Sequence, residues 1–299
     1  MRITQAMISR NGTDAISAQR NRLAETQEQA ATGLQLNRPS DDPVDYRKTL
    51  GLKNSLSQTE RYLRGIQLAA PRLGTTENAL ADSAGLVLDA KVLSQSNTAS
   101  QESRDILKGQ VADIFDQVFD LANKRSPEGS YVFGGTAGDA PPFEQTGTFV
   151  SGSPTPVVTF VGDPSAISID IDTGVSVEVT RNGEQAFQGP MDIFGVLGDL
   201  WTALDTGDIT AMQTAQGDLE DMRAHLVLER SALGSQQRKA ESFESRLEDQ
   251  VVKLDTAISF IEDADSVEVY SDLVERETAL QASLAVTARL ISPSLLDFI

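Results

Sequence analysis

An apolar residue recurs every seven positions from Met212 to Ile261: Met212, Leu219, Leu226, Leu233, Ala240, Leu247, Leu254, Ile261. That period suits a helix packed lengthwise along one stripe. At ~1.5 Å per residue the helix is roughly 75 Å long, a length a rod needs and a globular core does not. Its companion seam changes phase along the way, with Met222 early and Val251 and Ile258 late. A second series reads Leu52, Thr59, Ile66, Leu73, Leu80, Val87, with Leu56, Leu63, Ala70, Glu77 and Ala84 beside it. Pro71 interrupts this series and removes an interior hydrogen bond, so a kink or break is expected near Ala70. A third helix is expected between Ser100 and Asn123, with Leu107, Val111, Ile114, Val118 and Leu121 on one face. The plain expectation is that these helices pack within one molecule; an intermolecular bundle is the alternative.

Composition agrees with long helices. Hydrophobic residues make up 39% of the 299, enough for a core, but aromatics only 5%, so seams must be filled by aliphatic side chains. A formal charge of −19 argues against nucleic acid, whose binding rests on Lys and Arg displacing counterions. The absence of cysteine removes disulfides, thiolate nucleophiles and Cys-ligated zinc. With the single histidine, His225, no Ser-His-Asp or Cys-His arrangement stands out, and His225 reads as a helix-surface residue. Met1 to Arg20 holds no continuous apolar run, so no secretory signal is expected, and no stretch is apolar enough to insert into a membrane. By these rules the chain is cytosolic unless a pathway without such a signal exports it.

The middle of the chain changes character. Gly, Pro, Ser and Thr dominate from Gly134 to Pro190, where the seven-residue pattern vanishes. Ile167, Ile169 and Ile171 alternate with polar residues, as do Val175, Val177 and Val179, and the two runs flank Thr173-Gly174. This reads as a half-buried hairpin, with Val157 to Val161 as a third strand. The composition shift marks the insertion as a unit apart that contributes little to assembly.

Both ends are amphipathic. Ile3, Met7, Ile16, Leu23, Ala30 and Leu34 recur in the first segment. Leu273, Leu280, Leu284, Ile291, Leu295, Leu296, Phe298 and Ile299 mark the last. A lone helix is marginal in water and cannot bury its own stripe, so another chain or segment must cover these residues.

The short motifs read as structure. In Asn37-Arg38-Pro39-Ser40-Asp41-Asp42-Pro43 the paired aspartates could suggest metal or acid–base work. Punctuation is the better account, with Asp42 as N-cap and Pro43 at the first helical position. Asp170 to Gly174 begins like a calcium loop but has Val175 and Arg181 where Gly and Glu are required. Gly134-Gly135 after Tyr131-Val132-Phe133 lacks the GK[ST] of a phosphate loop and reads as a tight turn leaving a strand. Asn11-Gly12-Thr13 matches a glycosylation sequon by chance.

Taken together, the segments resemble the hook–filament junction proteins of bacterial flagella, a family within the flagellin superfamily. The matching pieces are Met1-Arg2-Ile3-Thr4, Gly33-Leu34 through Pro43, and Tyr131 to Thr136. Leu204-Asp205-Thr206-Gly207-Asp208, Ile261 to Asp265 and Ser294 to Ile299 also match. Asp41-Asp42 continues into Pro43-Val44-Asp45, unlike the Ala-Ala-Gly usual in flagellins. Pro293 departs from the pattern, and the last six residues are expected to turn there.

The resemblance implies a mainly α fold with a small β-rich insertion: an elongated, flagellin-like antiparallel helical bundle whose terminal helices form a coiled coil on assembly. Residues 1–35 with 264–299 would be the terminal helices, 36–142 with 190–263 the rod, and 143–189 the outer insertion. Assembly and chaperone contacts would fall on Ile3, Met7, Ile16, Leu23, Leu273, Leu280, Leu284, Ile291, Leu295, Leu296 and Phe298. Implied partners are copies of itself in a ring, a neighbouring hook-associated protein, flagellin, and an export chaperone on the C-terminal segment. Export through the flagellar type III apparatus is implied, with no cofactor and no catalysis. A flagellin-like filament subunit, a generic coiled-coil scaffold or regulator, and a carboxylate-based glycosidase are the alternatives.

Overall fold

The protein is described by a computed structural model covering residues 5–96 and 100–291. It is mainly α with a small β-rich insertion. The helices are α1 (Gln5–Thr32), α2 (Pro43–Ser94), α3 (Gln101–Ala122), α4 (Gly183–Gln188), α5 (Ile193–Thr206), α6 (Ile209–Glu262) and α7 (Ser266–Ile291). Between α3 and α4 lie four short strands, β1 (Phe143–Thr146), β2 (Val157–Phe160), β3 (Ser168–Asp172) and β4 (Val175–Glu178). The chain divides into two compact units, one of Met1–Gln58 with Gln250–Ile299, the other of Thr59–Asp249.

In the Thr59–Asp249 unit the two heptad series form the core. Ile66, Leu73, Leu80 and Val87 of α2 are buried, as are Met212, Leu219, Leu226, Leu233, Ala240 and Leu247 of α6. From α3 come Leu107, Val111, Ile114 and Val118. Pro71 does not break α2, contrary to the sequence expectation. Pro71 is exposed, so its ring meets no buried neighbour to force the helix apart, while Ile66 and Leu73 on either side are locked into the core.

Between Ile193 and Thr206 lies a helix that periodicity did not reveal, because it is apolar nearly all round. Ile193, Phe194, Leu197, Leu200, Trp201 and Leu204 are all buried. Gly207 ends it in the left-handed region (φ 71°), and Asp208 at once caps α6, its Oδ1 accepting the backbone N–H of Thr210 (2.9 Å) and Ala211 (3.1 Å). Those two roles explain the Thr-Gly-Asp spelling.

The Thr173-Gly174 hairpin forms as expected: β3 pairs antiparallel with β4, Ile169 opposite Val177, with Gly174 at φ 73°. The expected third strand exists but belongs to a separate two-stranded sheet with β1, Phe143 opposite Phe160. Phe143, Val158, Ile171, Val177, Val179 and Phe187 share one core with the helices. Eight of the eleven phenylalanines, with Trp201, meet here in mostly edge-to-face contacts, such as Phe133–Phe187 at 4.9 Å and Phe115–Phe149 at 5.0 Å. The aliphatic seams hold helix to helix; the rings hold sheet to helix.

The Tyr131-Val132-Phe133 segment is not a strand. Tyr131 makes one isolated bridge with Arg125, and Arg72 of α2 clamps it by donating to Tyr131 O and Ser130 Oγ, both at 3.0 Å. The glycines that follow serve close approach: a Cβ on Gly134 would lie 2.8 Å from Ala137 O, and one on Gly135 would collide with Asp163 O. His225 sits on α6 with Nε2 2.9 Å from Gln185 O.

Candidate assembly interface

In the unit of Met1–Gln58 and Gln250–Ile299, α1 packs against α7. At Gly12 the pair is close: an added Cβ would stand 3.1 Å from Thr287 Cγ2. Arg276 of α7 reaches across and donates to Arg22 O at 3.0 Å, while holding Asp272 on its own helix.

Two turns lock the base of this pair. Gly33 closes α1 at φ 73°, its N–H bonding Gln29 O at 2.8 Å. Leu34 then bridges antiparallel to Asp263: Gln35 donates to Glu262 O (2.8 Å) and Ala264 to Gly33 O (2.9 Å). Lys53 meets the buried carboxylate of Glu262 at 2.6 Å. Asp41 Oδ2 accepts the N–H of Asn37 (3.1 Å) and Arg38 (2.8 Å), and Arg38 forks onto both oxygens of Glu28.

The Asp-Asp-Pro run follows from these needs. Helix α2 starts at Pro43, and Asp42 Oδ1 accepts the N–H of Val44 (2.8 Å) and Asp45 (2.9 Å). Those two donors hold the Asp42 carboxyl below its ordinary range, since they bond the charged form. Asp265 caps α7 likewise, accepting from Val267 at 2.8 Å. Glu28, Gln35, Asp41, Asp42 and Asp45 line a polar cleft of about 660 Å³. Among the described residues no group of three or more His or acidic side chains is placed to hold a metal.

The residues expected at the interface fall into three groups. Ile16 and Leu23 of α1 and Leu273 and Leu280 of α7 are half-buried. Met7 remains 57% exposed and Leu284 41%. Ile291 is the last residue of α7, and Ile3, Leu295, Leu296, Phe298 and Pro293 lie outside the described residues. The exposed face of α7 also carries Val267, Tyr270 and Val274, which the heptad reading passed over because they sit off the seam. Their spacing of three and four was the available signal.

The heptad change at the end of α6 is visible here too. Leu254 and Ile261, the last of the eight-member series, are only half-buried, whereas the six before them are fully buried in the other unit.

Comparison with known proteins gives a consistent result. Residues 3–137 match the bacterial flagellin N-terminal helical region and residues 213–299 the bacterial flagellin C-terminal helical region. The chain is 25% identical over 302 residues to flagellar hook-associated protein 3 of Salmonella typhimurium, and 22% identical over 311 residues to that of Escherichia coli, covering 95% of both chains each time. Among solved structures it is similar to a putative flagellar hook-associated protein of Vibrio parahaemolyticus, with a TM-score of 0.64 and 14% identity over 74% of this chain and 99% of that one. It is also similar to FlgL of Bacillus cereus, with a TM-score of 0.58 and 22% identity over 70% of this chain and 99% of the other. With both helical regions present in order at its two ends, the chain belongs to the bacterial flagellin family.

Proposed function

We propose that this chain is a structural subunit of the bacterial flagellum that joins hook to filament. One observation carries the reading beyond family membership: α1 and α7 pair, yet Ile16, Leu23, Leu273 and Leu280 stay half-buried and Met7 and Leu284 exposed. A helix pair that leaves its apolar stripe uncovered is built to be finished by neighbours. The full-length likeness to hook-associated protein 3 chains supports the junction over the filament itself.

In this reading residues 1–35 and 264–299 form the inner coiled-coil layer of a ring of subunits, 36–142 and 190–263 the rod, and 143–189 the outward face. A hook-associated neighbour lies on one side and flagellin on the other. The chain leaves the cell through the flagellar type III apparatus and works outside it, a chaperone covering the C-terminal stripe before export. Its work is binding, not catalysis.

Deleting the gene in its flagellated host and examining cells by electron microscopy tests this. Hooks without filaments, with flagellin shed into the medium, are expected. Normal filaments would overturn the junction role. A filament subunit would instead be recovered as a bulk component of sheared filaments.

A further inference from the structure

Two of the eight asparagines, Asn11 and Asn182, stand directly before a glycine. In such a pair the glycine nitrogen, with no side chain beside it, has the least hindered approach to the asparagine Cγ. The other six asparagines precede Arg, Ser, Ala, Thr or Lys, whose side chains obstruct the same approach. The structure treats the two Asn-Gly pairs in opposite ways.

Asn182 is held at several points. Its Oδ1 caps α4 by accepting the Glu184 N–H at 2.9 Å, and its carbonyl accepts from Ala186 at 3.0 Å. The Gly183 N–H, whose nitrogen would attack, bonds Phe133 O at 3.3 Å. Gly183 is buried, and an added Cβ there would stand 3.0 Å from both Phe133 Cβ and Phe143 Cε2. Asn182 has no room to turn.

Asn11 lies near the start of α1 and is exposed, and among the described residues no hydrogen bond holds its side chain. Asn, Gly and Thr in succession are weak helix formers, and helix ends fray. Pairing of α1 with α7 holds this turn in the helix, and at Gly12 the approach is close: Thr287 Cγ2 lies 3.1 Å from where a Cβ would stand. That closeness explains the glycine. Little else holds the turn shut, since Ile16 is only half-buried and Met7 is 57% exposed.

We infer that Asn11-Gly12 is a site of spontaneous deamidation, gated by the opening of α1 from α7. In the opened turn the Gly12 nitrogen gives up its proton to water and attacks Asn11 Cγ. A carbon–nitrogen bond forms, closing a five-membered imide, and the side-chain nitrogen of Asn11 leaves as ammonia. Water then opens the ring at either carbonyl. One product is aspartate; the other is isoaspartate, whose main chain runs through the side-chain carbon. Isoaspartate adds a methylene to the backbone and breaks the ~3.6-residue spacing that sets Ile16 and Leu23 on one stripe. A copy that stays unassembled therefore ages at residue 11 and loses its terminal pairing. The modification itself is independent of the function proposed above; only its suppression by assembly rests on that reading.

Purified full-length protein is aged in mildly alkaline buffer, its peptides are mapped by mass spectrometry, and isoaspartate is labelled with isoaspartyl methyltransferase. Residue 11 should convert at least about tenfold faster than residue 182, and in urea, where neither is held, the two rates should converge. Conversion at residue 182 as fast as at residue 11 in the native protein, or none at residue 11 while both react in urea, would overturn the inference. Aged protein should exchange the amides of 266–291 faster than fresh protein. Asn11→Gln, whose longer side chain cyclises far more slowly, should keep the fresh rate. Unchanged exchange in aged, converted protein would overturn the effect on pairing. Copies sheared from flagella should retain Asn11, and unassembled copies in the medium should carry the isoaspartate. Equal levels in both would overturn suppression by assembly while leaving the site and the junction role intact.

Discussion

The side-chain amide of Asn123 pairs with the backbone of Phe143 from both ends: Nδ2 donates to Phe143 O at 3.1 Å and Oδ1 accepts its N–H at 3.0 Å. Asn123 also caps α3, its own N–H bonding Phe119 O at 3.1 Å. A single amide thus stands in for the strand that β1 lacks on that edge and fixes the sheet to the helix end. Asn123→Ala leaves both groups of buried Phe143 without partners and is expected to cost about 1–3 kcal/mol per group, read from urea unfolding of the full chain.

The inner face of α6 should be far more sensitive than its outer face. Leu226 is fully buried and Leu228 mostly exposed, two residues along the same helix. Leu226→Ala is expected to lose about 2–5 kcal/mol and Leu228→Ala less than about 0.5 kcal/mol by the same measurement. Equal losses would mean that the seam is not the core.

Removal of the insertion should be costly to the fold. Because Phe143, Ile171, Val177 and Phe187 fill the same core as the helices, replacing 143–188 with a Gly/Ser linker uncovers Phe115 and Phe194. Loss of the cooperative transition is expected by calorimetry. A folded, assembling variant would restore the view, suggested by composition, that the insertion is dispensable.

Acid should weaken the helical unit in part through Glu220. Its carboxyl is held down to about 2 from an ordinary 4.5, first by the hydrogen bond from Arg223 and then by that from Lys91 at 2.7 Å. A depressed acid contributes stability that is full above about 4.5 and fades as pH falls toward about 2. Asp192, raised by burial, acts in the opposite sense and favours the fold as it protonates. Glu220→Gln should therefore flatten the acid side of the stability–pH curve, measured by urea midpoints from pH 7 to pH 3.

The terminal helices should exchange their amides early in the unassembled protein. Their stripe residues are half-buried or exposed, unlike the fully buried Val111 and Val118 of α3. Hydrogen exchange should show protection over 266–291 well below that over 107–122, rising on assembly. Strong protection of 266–291 in the monomer would contradict the uncovered stripe.

Much of this was legible in the sequence, and the parts that were not share a physical cause. A seven-residue period survives any tertiary arrangement, so α2, α3 and α6 could be placed from it, as could the hairpin from its alternation. Helix α5 could not, because a segment apolar on every side has no period to read. Strand β1 escaped because its four residues, Phe-Glu-Gln-Thr, are held from outside by Asn123 and β2. The α2 break at Pro71 was expected from the local rule, but the proline ring faces water and buried neighbours hold the helix together.

By itself the sequence determined the long helices, the turn chemistry at Gly174 and the resemblance carried by the chain ends. Only the tertiary structure decided which apolar faces are covered. Leu226 and Leu228 are identical side chains in one helix, and Leu68 differs from Leu73 in nothing local. Burial is a property of what lies opposite, and that is set by chain segments far away in sequence.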